Sequence, residues 1–272
     1  MRSRFGKLQY SARIAVIAAC AAAAVLFWPQ SSHWNGAAGL APGAGDTTDD
    51  TGTFTEQRAE LVRSIERHVF ATRDQLGRAQ LTPRVVAALE ATPRHEFVPV
   101  ALRRLAYADR PLPIGHEQTI SQPYIVAIMT ELLDLEPGCT VLDIGTGSGY
   151  QAAVLGELCA RVYSIEIVEA LGLTARERLA RLGYDNVEVR IGDGFAGWPE
   201  HAPFDGIIVA AVADELPAPL LAQLATGARM IMPIRTSPGR QELVLAERDS
   251  DGTISTRNVL PVRFVPLTRD TD

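Results

Sequence analysis

The run Val141-Leu142-Asp143-Ile144-Gly145-Thr146-Gly147-Ser148-Gly149-Tyr150 is a short apolar strand that empties into a glycine turn and then a helix. Glycines at 145, 147 and 149 tolerate positive φ and leave bare backbone at a helix N-terminus, where a ligand can lie. The same residues also suit a tight turn that binds nothing. Further along, a second strand ends at Glu166 and a third leads into Ile191-Gly192-Asp193-Gly194. A carboxylate at position 166 can accept hydrogen bonds from both ribose hydroxyls of an adenosine moiety, and Asp193 can reach an adenine amino group. The ordinary alternatives are a solvated strand-end charge and a turn Asp before Gly. Three acids at the ends of the first three strands line one crevice, which suits a cationic or polyol ligand better than a pyrophosphate. The dinucleotide fingerprint G-x-G-x-x-G would place its third glycine at position 150, which is Tyr here. Asp143 would also repel a diphosphate while favouring the amino group of a methionine moiety.

Outward from this turn the chain alternates strand and helix. Strands are expected at 140–144, 161–166, 187–191, 205–210 and 228–234, with helices at about 150–159, 169–182 and 215–225. Near-continuous apolar strands such as Gly206-Ile207-Ile208-Val209 fit a parallel sheet covered on both faces. The runs 242–247 and 256–267 follow without a helix and are joined by Ser250-Asp251-Gly252, a hairpin signal. The fold class is therefore α/β: a doubly wound, Rossmann-like sheet, mostly parallel with an antiparallel C-terminal end, preceded by a helical subregion. In that subregion Leu61, Val62, Ile65, Val69 and Leu76 share one helical face that stops at Gly77, and Thr82 is placed to cap a second helix opened by Pro83.

With 272 residues, 47% of them hydrophobic, and a net charge of −6, a disordered chain and one held mainly by nucleic-acid phosphates are both excluded. Arg2, Arg4, Lys7 and Arg13 precede the apolar stretch 14–28, the pattern of a secretion signal or short membrane anchor. That stretch is short for a bilayer span, and a nonfunctional leader behind a wrongly assigned start is the competing reading. Residues 29–54, rich in Gly, Ala, Ser, Thr and Asp, read as a flexible linker, leaving 55–272 as the folded domain with a helical part, 55–139, and a sheet part, 140–272. Cys20, Cys139 and Cys159 are an odd number at wide spacings, so neither a disulfide framework nor a metal cluster is expected, and Cys139 and Cys159 read as buried apolar residues.

The glycine spacing resembles the class I S-adenosylmethionine methyltransferases. Pro113-Ile114-Gly115-His116-Glu117-Gln118-Thr119-Ile120-Ser121-Gln122-Pro123-Tyr124, together with 141–151, Gly192-Asp193-Gly194 and Val262-Arg263-Phe264-Val265-Pro266-Leu267, resembles the protein-L-isoaspartate O-methyltransferases, which repair isomerised aspartyl residues. Arg94-His95-Glu96-Phe97-Val98-Pro99 is similar to that family's N-terminal signature, and the likeness runs from about 56 to 268. The resemblance implies S-adenosylmethionine as methyl donor and isoaspartyl proteins and peptides as partners. It assigns Ser121 to the active site and Gln118, Thr119, Ile120, Asp143, Gly145, Thr146, Gly147, Ser148, Gly149, Glu166, Asp193, Gly194 and Thr268 to the donor. No metal and no nucleic acid are expected, and the enzyme is expected to be a cytoplasmic monomer; a tether or export through residues 2–28 is the alternative. Ser121 also reads as the N-cap of the helix opened by Pro123. Ala210-Ala211-Val212-Ala213 and Pro233-Ile234-Arg235 depart from the family's pattern at segments expected to border the substrate cleft. A small-molecule methyltransferase, a nicotinamide dehydrogenase and a noncatalytic envelope binding module are the rival readings.

Overall fold

The computed structural model describes residues 50–269, so the leader and most of the linker lie outside the described residues. Helix α1 (Asp50–Ala71) starts within the stretch read as linker, and Phe54 explains why: its ring is buried and stacks on His95 with centroids 4.1 Å apart. The short α2 (Arg73–Leu76) ends, as expected, on Gly77 in the left-handed conformation. Helix α3 (Pro83–Ala91) follows with Thr82 at its N-cap, but the Thr82 hydroxyl does not cap it. Both the Thr82 amide and hydroxyl donate instead to Oε2 of the buried Glu131, at 2.8 and 3.1 Å.

A hairpin that the sequence pattern did not reveal comes next, β1 (Leu112–Gly115) and β2 (Gln118–Ile120). Its turn holds His116 and Glu117 at φ 51° and 58°. Asn-Gly is the usual pair there, so the turn carries no familiar signal. Helix α4 (Pro123–Leu132) then leads into the sheet.

The seven-stranded sheet contains β3 (Thr140–Ile144), β4 (Arg161–Glu166), β5 (Val187–Ile191), β6 (Phe204–Val209), β7 (Leu224–Ser237), β8 (Arg240–Arg248) and β9 (Ile254–Val262), in the order β5-β4-β3-β6-β7-β8-β9. The first five of these pair in parallel; β8 is antiparallel to both β7 and β9. Helices α5 (Tyr150–Gly156), α6 (Glu169–Arg181) and α7 (Ala218–Ala222) make the connections. Because side chains alternate along a strand, Val141, Val162 and Ile208 enter one apolar layer while Leu142, Ile144, Ile165 and Val209 enter the other. Strand order reverses at β3, between β4 and β6, and that switch point is where a doubly wound sheet opens a ligand crevice.

One cysteine expectation is corrected. Cys139 and Cys159 are buried as expected, but they form a disulfide with Cα atoms 4.7 Å apart. The sequence separation of 20 hides a short spatial one: the register Thr140↔Arg161 brings together the residues that enter neighbouring parallel strands.

Candidate active site

The glycine turn forms as expected at the C-terminal end of β3. Gly145, Gly147 and Gly149 all have positive φ, and Gly149 is the N-cap of α5. A β-carbon at Gly145 would stand 3.5 Å from that of Ala210, and one at Gly147 3.4 Å from Cδ1 of Ile114. The turn is thus walled by the chain leaving β6 and by the β1–β2 hairpin. Thr146 and Ser148 are buried; Oγ1 of Thr146 shares a 2.6 Å hydrogen bond with Ser164, and the Ser148 carbonyl accepts from Arg178 at 2.7 Å. Gly194 packs so closely on Ile144 that a β-carbon would lie 2.4 Å from its Cγ2.

Asp143 is fully buried, one strand pair away from Ser164. Its Oδ2 accepts from the Ser164 hydroxyl at 2.7 Å, while Oδ1 has no hydrogen-bond partner among the described residues. Burial pushes its carboxyl up to about 7, against the Ser164 hydrogen bond, with the Glu166 charge adding to the rise. A buried, half-satisfied carboxylate is costly unless something cationic completes it. The ammonium of a methionine moiety has the chemistry to do so.

Glu166 is also buried, and its two oxygens accept from backbone amides, Gly147 at 2.7 Å and Val168 at 2.9 Å. It therefore pins the glycine turn as well as lining the crevice, a role invisible in its spacing. Each oxygen keeps a lone pair for a ribose hydroxyl. Asp193 accepts from the Phe195 amide at 2.8 Å and from Nε of Arg269 at 2.9 Å. The Arg269 guanidinium lies 3.6 Å above the Phe195 ring, so a planar cation already donates to the carboxylate that was expected to reach an adenine amino group. Exposed Thr268 sits beside it in the chain.

The segment Gln118 to Gln122 runs out of the hairpin. Gln118 is half-buried, Thr119 exposed, and Ile120 buried in the core, where its side chain anchors β2. Ser121 is half-buried and, contrary to the cap expectation, does not cap α4: Gln122 occupies the N-cap, and the Tyr124 amide donates to Asp109 at 2.8 Å. Asp109 comes from a segment before the hairpin and leaves the Ser121 hydroxyl free of that duty. Buried Arg94 donates to the Ser121 carbonyl at 2.7 Å. The two departing segments also meet here. The Val212 amide donates to Val265, that of Leu267 to Val212, and that of Arg235 to Ala213. Residues 210–213, 233–235 and 265–267 are therefore tied together by backbone hydrogen bonds.

Ser164, Asp109, Arg94 and Arg178 escaped the sequence reading. Only Arg94 carried a signal, since it opens the segment that matches the family's N-terminal signature. Among the described residues, no group of three His, Cys, Asp or Glu side chains is placed to hold a metal ion.

A family model described as protein-L-isoaspartate(D-aspartate) O-methyltransferase matches residues 64–272. A protein of Syntrophobacter fumaroxidans named protein-L-isoaspartate O-methyltransferase 2 is 57% identical over 232 residues, 85% of this chain and 92% of its own length. One of the same name from a Polaromonas species is 56% identical over 208 residues, covering 76% and 99%. Among solved structures, a protein-L-isoaspartate O-methyltransferase superposes with TM-score 0.67 at 30% identity over 78% of this chain and 66% of that one. The Plasmodium falciparum β-aspartate methyltransferase, solved with S-adenosyl-L-homocysteine, superposes with TM-score 0.66 at 25% identity over 78% and 99%.

Proposed function

Because this chain belongs to the protein-L-isoaspartate(D-aspartate) O-methyltransferase family, we propose that Ser121 orients the α-carboxylate of an isoaspartyl residue over the glycine turn. The enzyme is an S-adenosylmethionine-dependent protein repair methyltransferase. The observation that carries the Ser121 reading is the hairpin lying on the glycine turn, Ile114 against Gly147, which delivers the segment Thr119 to Gln122 to the donor crevice.

The donor supplies a sulfonium methyl group. Asp143 would hold its ammonium and Glu166 its ribose, Asp193 would take its adenine in place of the Arg269 guanidinium, and Gly145 to Gly149 would present backbone beneath it. A carboxylate with a reference pKa of about 4 is ionised at neutral pH, so its attack on the methyl carbon needs no general base. The chain's task is alignment and exclusion of water, worth roughly 7–11 kcal/mol in favourable cases. A donated hydrogen bond from Ser121 fixes one carboxylate oxygen and leaves the other to attack. The methyl ester then cyclises through the next backbone nitrogen, expels methanol, and the succinimide reopens partly as normal aspartate.

Ser121→Ala is expected to lower kcat/KM for an isoaspartyl peptide by roughly 10- to 100-fold, the worth of a hydrogen bond to a charged group. Donor affinity should hold. Wild-type kcat/KM in a folded Ser121→Ala protein would refute the assignment.

A monomer working in the cytoplasm is the simplest setting, because the donor is made there. The Cys139–Cys159 disulfide favours the alternative of export through residues 2–28, since such bonds persist in oxidising compartments. Fractionation of the tagged full-length protein separates the two. Among the described residues no helix is long and apolar enough to cross a membrane.

A further inference from the structure

Arg94 is fully buried and has no carboxylate paired with it among the described residues. Burial lowers its guanidinium to about 10, so it stays charged at neutral pH. A buried cation with no carboxylate in direct contact is an expensive way to fill a core. What this one does is join three segments. Nε donates to the Ala106 carbonyl at 2.9 Å, and Nη2 to the Ser121 carbonyl at 2.7 Å. Its Cζ stands 4.7 Å from the centre of the Tyr150 ring, the first residue of α5 after the glycine turn. Nη1 is buried without a hydrogen-bond acceptor among the described residues, and the guanidinium is offset by the Tyr150 side chain beneath it and by the charge of Asp109. Phe97 holds the same ring edge-on at 5.6 Å, so Tyr150 has little freedom to drift.

We infer that Arg94 is a positioning residue for methyl transfer: it sets the separation between the Ser121 backbone and the glycine turn, and so between the two reactants. The inference rests on the Ser121 reading above. Lysine cannot replace it, because a point charge lacks the planar fork that reaches two carbonyls while lying on a ring.

The test is a double-mutant cycle on the full-length protein with Arg94→Lys, Ser121→Ala and the pair, measuring kcat and KM for an isoaspartyl peptide and donor affinity by calorimetry. Arg94→Met is a second single variant that removes the charge outright. Misplacement near the reacting atoms predicts a fall in kcat of roughly 10- to 100-fold for Arg94→Lys, with donor affinity kept. On the Ser121→Ala background the same change should cost little more, because both act on one hydrogen bond. Should Arg94→Met fail to fold, Arg94→Lys carries the test alone. Undiminished kcat in either folded Arg94 variant, or a full further loss on the Ser121→Ala background, would overturn the positioning role. If Ser121→Ala alone has wild-type kinetics, the Ser121 reading fails first, and that outcome is distinct from an impaired Ser121→Ala beside an unimpaired Arg94→Lys.

Discussion

A carboxyl group held up at about 7 in a donor site makes the pH of binding diagnostic. Without donor, Asp143 takes up a proton more readily folded than unfolded, so its contribution to stability is greatest below 3.8 and is lost as pH rises through about 7. A bound ammonium favours the ionised form. Donor affinity should therefore strengthen by up to about tenfold per pH unit on approaching 7 from below, then level off. Asp143→Asn should bind weakly and without that slope; a slope that survives the substitution, measured by calorimetry across pH, would assign the titration elsewhere. Residue types at strand ends were legible because apolar strands and turn glycines are short-range signals. The partners that tune them were not: Ser164 meets Asp143 only through parallel pairing, and the Glu166 bond to Gly147 depends on how the turn folds back.

At the level of elements, two short pieces place the segment that carries Ser121. Helix α4 is capped from outside by Asp109, so Asp109→Ala should cost about 0.5–2 kcal/mol of stability, while Ser121→Ala should leave the melting temperature nearly unchanged. The reverse ranking in thermal unfolding would restore Ser121 as the cap. The β1–β2 turn keeps His116 and Glu117 at positive φ, where Asn and Gly are less strained. Replacing the pair with Asn-Gly should raise Tm. If the tip touches peptide, kcat/KM should fall at the same time, with kcat/KM measured on several isoaspartyl peptides; a more stable enzyme with unchanged kinetics on all of them would make the tip a mere turn. Long helices and buried strands were predictable to within a few residues, whereas the hairpin, a few residues per strand, has too little periodicity to register.

At the scale of the whole molecule, the parallel sheet and its antiparallel end follow from alternating strands and helices and then strands alone, which is why the architecture was legible in the sequence. The Cys139–Cys159 bond was not, because it belongs to the βαβ return rather than to a motif. Closing that loop is worth about 3 kcal/mol in the chain-entropy account, or roughly 6–12 °C in a domain of this size. Reduction, or Cys159→Ala, should lower Tm by several degrees, and mass after thiol alkylation in denaturant should show both cysteines protected unless the protein is first reduced. Alkylation of both in the unfolded, unreduced protein would rule out the bond and, with it, the support for export. What the wild-type enzyme methylates decides its function. The most direct measurement is methyl transfer from labelled S-adenosylmethionine to a matched pair of peptides differing only in an isoaspartyl or a normal aspartyl linkage. Base-labile methyl ester on the isoaspartyl peptide and background on its twin is the predicted result; equal labelling of both, or of neither, would contradict it.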